Sequence, residues 1–247
     1  MRRVVGLFVV VQVVWMVALA SAASATSTPT ATSGAVAILS SPPASVQLHA
    51  LVSTTNIQGF FEQETTLAAD QAVDTDMPGL VNNVTQLVPT TIASGTCVDS
   101  YLLQWDPGGL PFPQTAQADG SVTFDQQILG VEALDASLDG SDALGSPSTL
   151  YPTGLPTVER GMELIGATHT NRSGNPDTFT LSASLKTLTV HMDTGAYFDQ
   201  VRVLVGCGGP PAGTPEVSTA LVLPLSAAAL LGAFVAWRRI RPTLERR

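Results

Sequence analysis

Residues 217–237 contain no Asp, Glu, Lys or Arg, and Leu, Val, Ala and Phe dominate them. About 20 such residues, at 1.5 Å of helical rise each, cover the roughly 30 Å of hydrocarbon in a bilayer. A charge at mid-span would cost ~2.5–3.5 kcal/mol on insertion scales, and the run has none. Pro224 sits in its outer third, where a kink leaves the span intact. Arg238, Arg239 and Arg241 follow at once and act as the membrane stop, with Arg246 and Arg247 behind them. The positive-inside rule then puts residues 238–247 in the cytoplasm as a basic tail. The run is too long, and its arginine flank too one-sided, for a core helix of a soluble domain. Everything before it is expected to fold on the far side of a membrane.

The other end of the chain agrees. Arg2 and Arg3 make a positive start, residues 4–19 are apolar, and residues 20–25 are small. That is the pattern of a secretory signal peptide over 1–25, cut by signal peptidase after Ala23, Ser24 and Ala25 and before Thr26.

Pro215 and Glu216, the apolar span and the arginine cluster together resemble the PEP-CTERM sorting tail of exported bacterial surface proteins. The resemblance covers about the last 35 residues and departs at the third position, where Val217 stands in place of proline. It implies recognition by an exosortase-type membrane protease and delivery to the envelope or extracellular matrix. No LPxTG pentapeptide precedes the span, so ordinary sortase attachment is not supported.

Roughly 190 residues lie between the two ends, enough for one domain with a core. Arg160, Arg172, Lys186 and Arg202 are their only cations, while nearly all the acids of the chain fall among them. The formal net charge of −9 counts seven arginines that belong to the terminal segments. So acidic a surface repels a phosphate backbone, which excludes nucleic acid as a partner. It suits solubility outside the cell, or the collection of divalent cations. Cys97 and Cys207 are the only cysteines. In an oxidising compartment they are expected to pair, closing a loop worth up to ~4.7 kcal/mol in the chain-entropy model.

Residues 26–45 are mostly Ser, Thr, Ala and Pro and are expected to be a flexible lead-in. Residues 207–216 form a Gly/Pro linker before the span. Between them, 46–206 carry short β-prone runs at 46–52, 59–67, 80–88, 97–105, 120–125, 128–134, 178–181, 185–192 and 198–205. Turn residues separate these runs, most clearly at 106–109 (DPGG), and 182–184 reads as a hairpin. Helix is confined to a turn near 139–144. The expected fold is all-β: a single β-sandwich or jelly-roll-like ectodomain, without internal repeats. The segments 98–107, 120–124, 128–130, 138–144, 151–154 and 199–203 also resemble the ectodomain of some exported PEP-CTERM-type proteins. That resemblance supports the β reading and supplies no activity.

Several groups offer chemistry. Asp135, Asp139 and Asp142, with Ser137 and Ser141 between them, are oxygen-rich enough for Ca²⁺, although their spacing is not that of an EF-hand loop. A solvated turn capped by Asp and Ser is the alternative. Glu159, Glu163 and Asp177 are the carboxylates a hydrolase would pair. His49, His169 and His191 fit neither HExxH nor a triad motif. Trp105, Tyr101, Tyr151, Tyr197 and Phe198 are the aromatics available for a sugar platform, with core packing as the alternative. Asn83 and Asn171 open glycosylation-type triplets. Arg202, inside an apolar strand, is expected to make a structural ion pair, with Asp199 close in sequence. The function expected is that of a membrane-anchored surface or matrix protein, structural or adhesive and not an enzyme, with a surface polysaccharide as a partner. The rivals are a carboxylate-pair hydrolase and a Ca²⁺-dependent carbohydrate-binding module.

Overall fold

The computed structural model describes residues 26–111, 114–152, 160–167 and 175–208. The expected signal peptide, most of the linker, the span and the basic tail lie outside them. Within them the protein is all-β, with short helical turns. The strands are β1 (Pro29–Gly34), β2 (Val36–Ile38), β3 (Ile57–Thr66), β4 (Gln71–Val73), β5 (Gly79–Val81), β6 (Thr90–Ile92), β7 (Cys97–Trp105), β8 (Ala116–Phe124), β9 (Ile128–Glu132), β10 (Thr178–Leu181), β11 (Thr187–Thr194) and β12 (Asp199–Gly206). One short helix, α1, spans Asp135–Gly140.

Ten strands make two five-stranded sheets, ordered β1-β8-β11-β10-β5 and β2-β3-β7-β12-β9; β4 and β6 form a separate ladder. Every pairing is antiparallel except β2 with β3. The main core draws on both sheets: Val122, Phe124, Phe179, Leu188, Val190 and Met192 from the first, and Ile57, Leu103, Trp105, Val131, Val201 and Val203 from the second.

The sheets differ in their outer faces. In the first, alternation is clean. Gln117, Asp119, Ser121 and Thr123 point away from the core on β8, while Ala118, Val122 and Phe124 are buried. Its outer face is lined with hydroxyls, including a Ser33–Ser121 hydrogen bond of 2.7 Å and a Thr123–Thr187 hydrogen bond of 2.9 Å. The second sheet is covered on both sides, as the near-continuous burial of β7 and β12 shows. Its outer residues Phe60 and Leu102 pack with Val46 and Leu138 of α1. Val98 and Leu204 pack with Val73 and Ile92 of the small ladder. A sheet buried on both faces loses the polar-apolar alternation of a half-wet one.

The expectation of a flexible lead-in at 26–45 is corrected. Pro29–Gly34 is an edge strand paired along β8, and Val36–Ile38 runs beside β3 in the other sheet. The chain changes sheets at Ala35, whose N–H donates to Asp119 O at 2.7 Å while its carbonyl accepts from Ile57 N at 3.0 Å. Gly34 makes the crossing possible. Its φ is +61°, and a Cβ there would collide with the Asp119 carbonyl. Composition misleads here because these strands are held by backbone ladders and one buried Val36 rather than by apolar mass.

Three further differences have local causes. Residues 46–52 are a loop, turned by His49 at φ +63°, though Val46 is fully buried. The run at 80–88 ends as a strand at Val81, and Asn83 and Gln86 then cap a 3-10 turn reciprocally. The ladder β4–β6 is too short to show in the pattern. The turn at 106–109 is present, with Asp106 Oδ1 accepting from Gly108 N at 2.9 Å. The hairpin at 182–184 joins β10 to β11.

Candidate functional site

The outer face of the second sheet holds the densest constellation of charge, and it begins with a bulge. Phe61 pairs with Tyr101 and Gln63 with Ser100, so Glu62 is the extra residue in β3. A bulge re-aims a side chain, and here Glu62 meets Arg202 of β12. Arg202 Nε donates to Glu62 Oε2 at 2.8 Å and Nη2 to Oε1 at 3.0 Å, with both side chains fully buried. Ser100 Oγ donates to Glu62 Oε2 at 2.5 Å and Tyr151 Oη to Oε1 at 2.6 Å. Two-point guanidinium–carboxylate pairs are among the stronger hydrogen-bonded contacts.

A second arginine joins from the segment after Tyr151. Arg160 Nε donates to Gln200 Oε1 at 2.8 Å, and its Nη1 to Asp139 Oδ1 at 3.1 Å. Asp142 lies between the two guanidinium groups. Its Oδ2 accepts from Arg160 Nη1 at 2.9 Å, and its Oδ1 from Arg160 Nη2 at 3.1 Å and Arg202 Nη2 at 3.2 Å. The Tyr151 ring sits under both, 6.0 Å from the Arg160 guanidinium and 5.4 Å from that of Arg202, close enough for cation–π attraction.

Glu132 of β9 is the farthest from the Arg202 guanidinium of the three acids around it. Arg202 Nη1 stands 3.8 Å away, while Gln71 and Ser141 donate to its oxygens. Burial pushes its carboxyl up to about 7, and Arg202 offsets only part of that. For Arg202, burial works against the charge, but Glu62, Glu132 and Asp142 outweigh it and hold the guanidinium above its usual range. The two directions are compatible: three carboxylates share one guanidinium, and Glu62 takes the two-point contact.

This network corrects the expectation of calcium at Asp135, Asp139 and Asp142. Asp139 and Asp142 face the Arg160 guanidinium. Asp135 Oδ1 accepts from the backbone N–H groups of Arg160 and Gly161 at 2.8 and 2.6 Å. A planar cation and a chain reversal use oxygens that a metal would need. Arg202 does make the structural ion pair expected of it, but not with Asp199. Positions 199 and 202 differ in parity, so their side chains leave β12 on opposite faces.

Asp199 points instead into the end of the main core, with Asp177 nearby in charge. Asp177 is fully buried; its Oδ2 accepts from Glu163 N at 2.6 Å and its Oδ1 from Asp193 N at 2.8 Å. Burial raises Asp177 to about 7, and raises Asp199 well above the carboxylate range with Asp177, Glu163 and Asp193 adding to it. Glu163 and Asp177 are thus brought together, by a backbone contact. Glu159 lies outside the described residues.

The other sequence candidates separate in the same way. Cys97 and Cys207 form the expected disulfide, with Cα atoms 5.5 Å apart and 110 residues between them. Trp105, Tyr101 and Phe198 are buried, Tyr151 serves the arginine network, and Tyr197 is half-buried, so these aromatics make no exposed sugar platform. His49 N donates to Asp106 Oδ2 at 2.7 Å, and His191 Nδ1 meets Asp119 Oδ1 across β11 and β8 at 2.7 Å. Asn83 caps a turn. His169, Asn171, Pro215, Glu216, Arg238, Arg239 and Arg241 lie outside the described residues. Glu62, Glu132 and Gln200 escaped the sequence reading; an arginine in an apolar strand was the signal that buried acids must exist somewhere. Among the described residues, no helix is long and apolar enough to cross a membrane. No protein-family model matches the chain, and neither does any curated protein or solved structure.

Proposed function

We propose that this is an exported cell-surface or matrix protein, a single β-sandwich ectodomain tethered by the span at 217–237, with a structural or adhesive role and no catalysis. The Cys97–Cys207 disulfide is the observation that carries export. It joins the start of β7 to the residue that follows β12, and such bonds persist in oxidising compartments. The leader at 1–25 and the arginines at 238, 239 and 241 supply entry and stop. Signal peptidase and an exosortase-type protease acting near Pro215 and Glu216 are its processing partners. The non-catalytic reading is supported by Asp177, fully buried with both carboxylate oxygens accepting backbone N–H groups, and by Glu62, buried against Arg202. For adhesion, the hydroxyl-lined outer face of the first sheet suits an uncharged surface polysaccharide.

Fractionation of the producing cells, with intact-mass measurement of the mature chain, tests this. Recovery in the envelope or matrix, starting at Thr26, is expected. Full-length chain in the cytosol with residues 1–25 attached would sink the proposal.

A further inference from the structure

Ser27 lies one residue beyond the expected signal-peptidase cut, yet it is completely buried, while Thr26 and Thr28 on either side are exposed. Its N–H donates to Asp99 Oδ2 at 2.5 Å, and its carbonyl accepts from Tyr101 Oη at 2.6 Å. Thr28 N donates to Asp125 Oδ1 at 2.9 Å, and Asp125 N returns a bond to Thr28 O at 3.2 Å. The first residues of the mature chain are therefore threaded into the end of the domain by four hydrogen bonds.

The groups around that thread are acidic. Asp99, on β7, is 0% exposed, and its Oδ1 accepts no hydrogen bond. Glu64, its register partner on β3, and Asp125 both add negative potential. Lys186 is the nearby cation, and it donates its Nζ to the Asp125 carbonyl at 2.5 Å. Successive backbone nitrogens are at most ~3.7 Å apart, so Thr26 N lies within about 6 Å of the Asp99 carboxylate. Opposite charges at that range favour each other's ionised form.

We propose that Asp99, backed by Glu64 and Asp125, is the binding site for the α-ammonium created at Thr26 when the leader is removed, so that processing completes the fold. The inference rests on the export reading and its cut after Ala25. Water adds across the Ala25–Thr26 peptide bond; Ala25 departs as a carboxylate, and Thr26 N becomes an amine that takes up a proton. Before the cut the same nitrogen is a neutral amide with no charge to offer. Afterwards a cation stands beside an otherwise uncompensated buried acid.

The test uses the full chain, exported, processed and purified in detergent. Two residues, Gly-Ser, are inserted between Ala25 and Thr26, so that the ammonium is carried away from Asp99. The insertion is expected to lower Tm on the order of 2–4 °C in the parent and to have little effect in an Asp99→Asn background. Equal shifts in both backgrounds overturn the proposal and leave export standing. A mature chain that starts elsewhere than Thr26 overturns both the cut and the proposal. Should Asp99→Asn not fold, amine-selective labelling of Thr26 in the parent decides. Labelling at neutral pH is expected to be about tenfold slower folded than unfolded, one pKa unit of protection, and equal rates overturn the proposal.

Discussion

Glu62 and Arg202 are 140 residues apart in sequence and meet through two hydrogen bonds, 2.8 and 3.0 Å, with neither side chain touching water. Removing one partner of such a pair leaves a buried charge uncompensated and typically costs about 3–5 kcal/mol. Glu62→Gln and Arg202→Met are each expected to lose stability in that range in urea unfolding. Replacing both by Met should recover part of the loss. A double variant as unstable as the sum of the singles would show that the two residues act separately.

Stability is expected to be greatest on the acid side of neutrality. The carboxyl of Glu132 rises from 4.5 to about 7 on folding and that of Asp177 from 3.8 to about 7, in both cases first because burial disfavours the charged form. Between the unfolded and folded values the folded chain holds protons that the unfolded chain has released. Stability therefore falls as pH rises through this window and levels off above it. Tm measured from pH 5 to pH 8 should decline, and Glu132→Gln should flatten part of the slope. A rising Tm over that range would contradict the assignment.

Calcium should do nothing to the fold. Asp139 and Asp142 are engaged by Arg160, and Asp135 by two backbone donors. Millimolar Ca²⁺ or a chelator is expected to leave Tm unchanged, while Arg160→Ala lowers it by several degrees through the ion pairs with Asp139 and Asp142 that it removes. A clear rise with Ca²⁺ in the parent would restore a metal site.

The disulfide closes most of the second sheet into one loop, and breaking it should be costly. A loop of about 100 residues is worth up to ~4.7 kcal/mol, and losses of about 2–5 kcal/mol are usual when a native bond is removed. Cys97→Ala with Cys207→Ala, or reduction of the parent, should lower the urea midpoint by a matching amount. The backbone contact from Cys207 N to Cys97 O at 3.3 Å keeps the two strand ends together without the bond, so loss of stability rather than loss of fold is expected.

Much of the fold is legible in the sequence. The strands at 97–105 and 178–181 stand where the pattern put them, because a central strand and a hairpin arm declare themselves by apolar runs bounded by turns. The disulfide followed from two cysteines and a leader. The first strand of the domain was hidden, since PTATSG has no large apolar side chain and is held by its backbone to β8.

By itself, then, the order of residues determined the all-β class, the positions of most strands, the acid excess and the pairing of Cys97 with Cys207. All of these depend on local periodicity or on elimination within the chain. Only the tertiary structure decided what the charges do. Asp139 and Asp142 read as a metal loop until Arg160 arrives from 18 residues beyond Asp142, and Arg202 meets Glu62, the extra residue of a bulge in a distant strand, on the outer face of the second sheet. Electrostatic partners are chosen by distance in space after the sheets are covered, and no spacing along the chain encodes that choice.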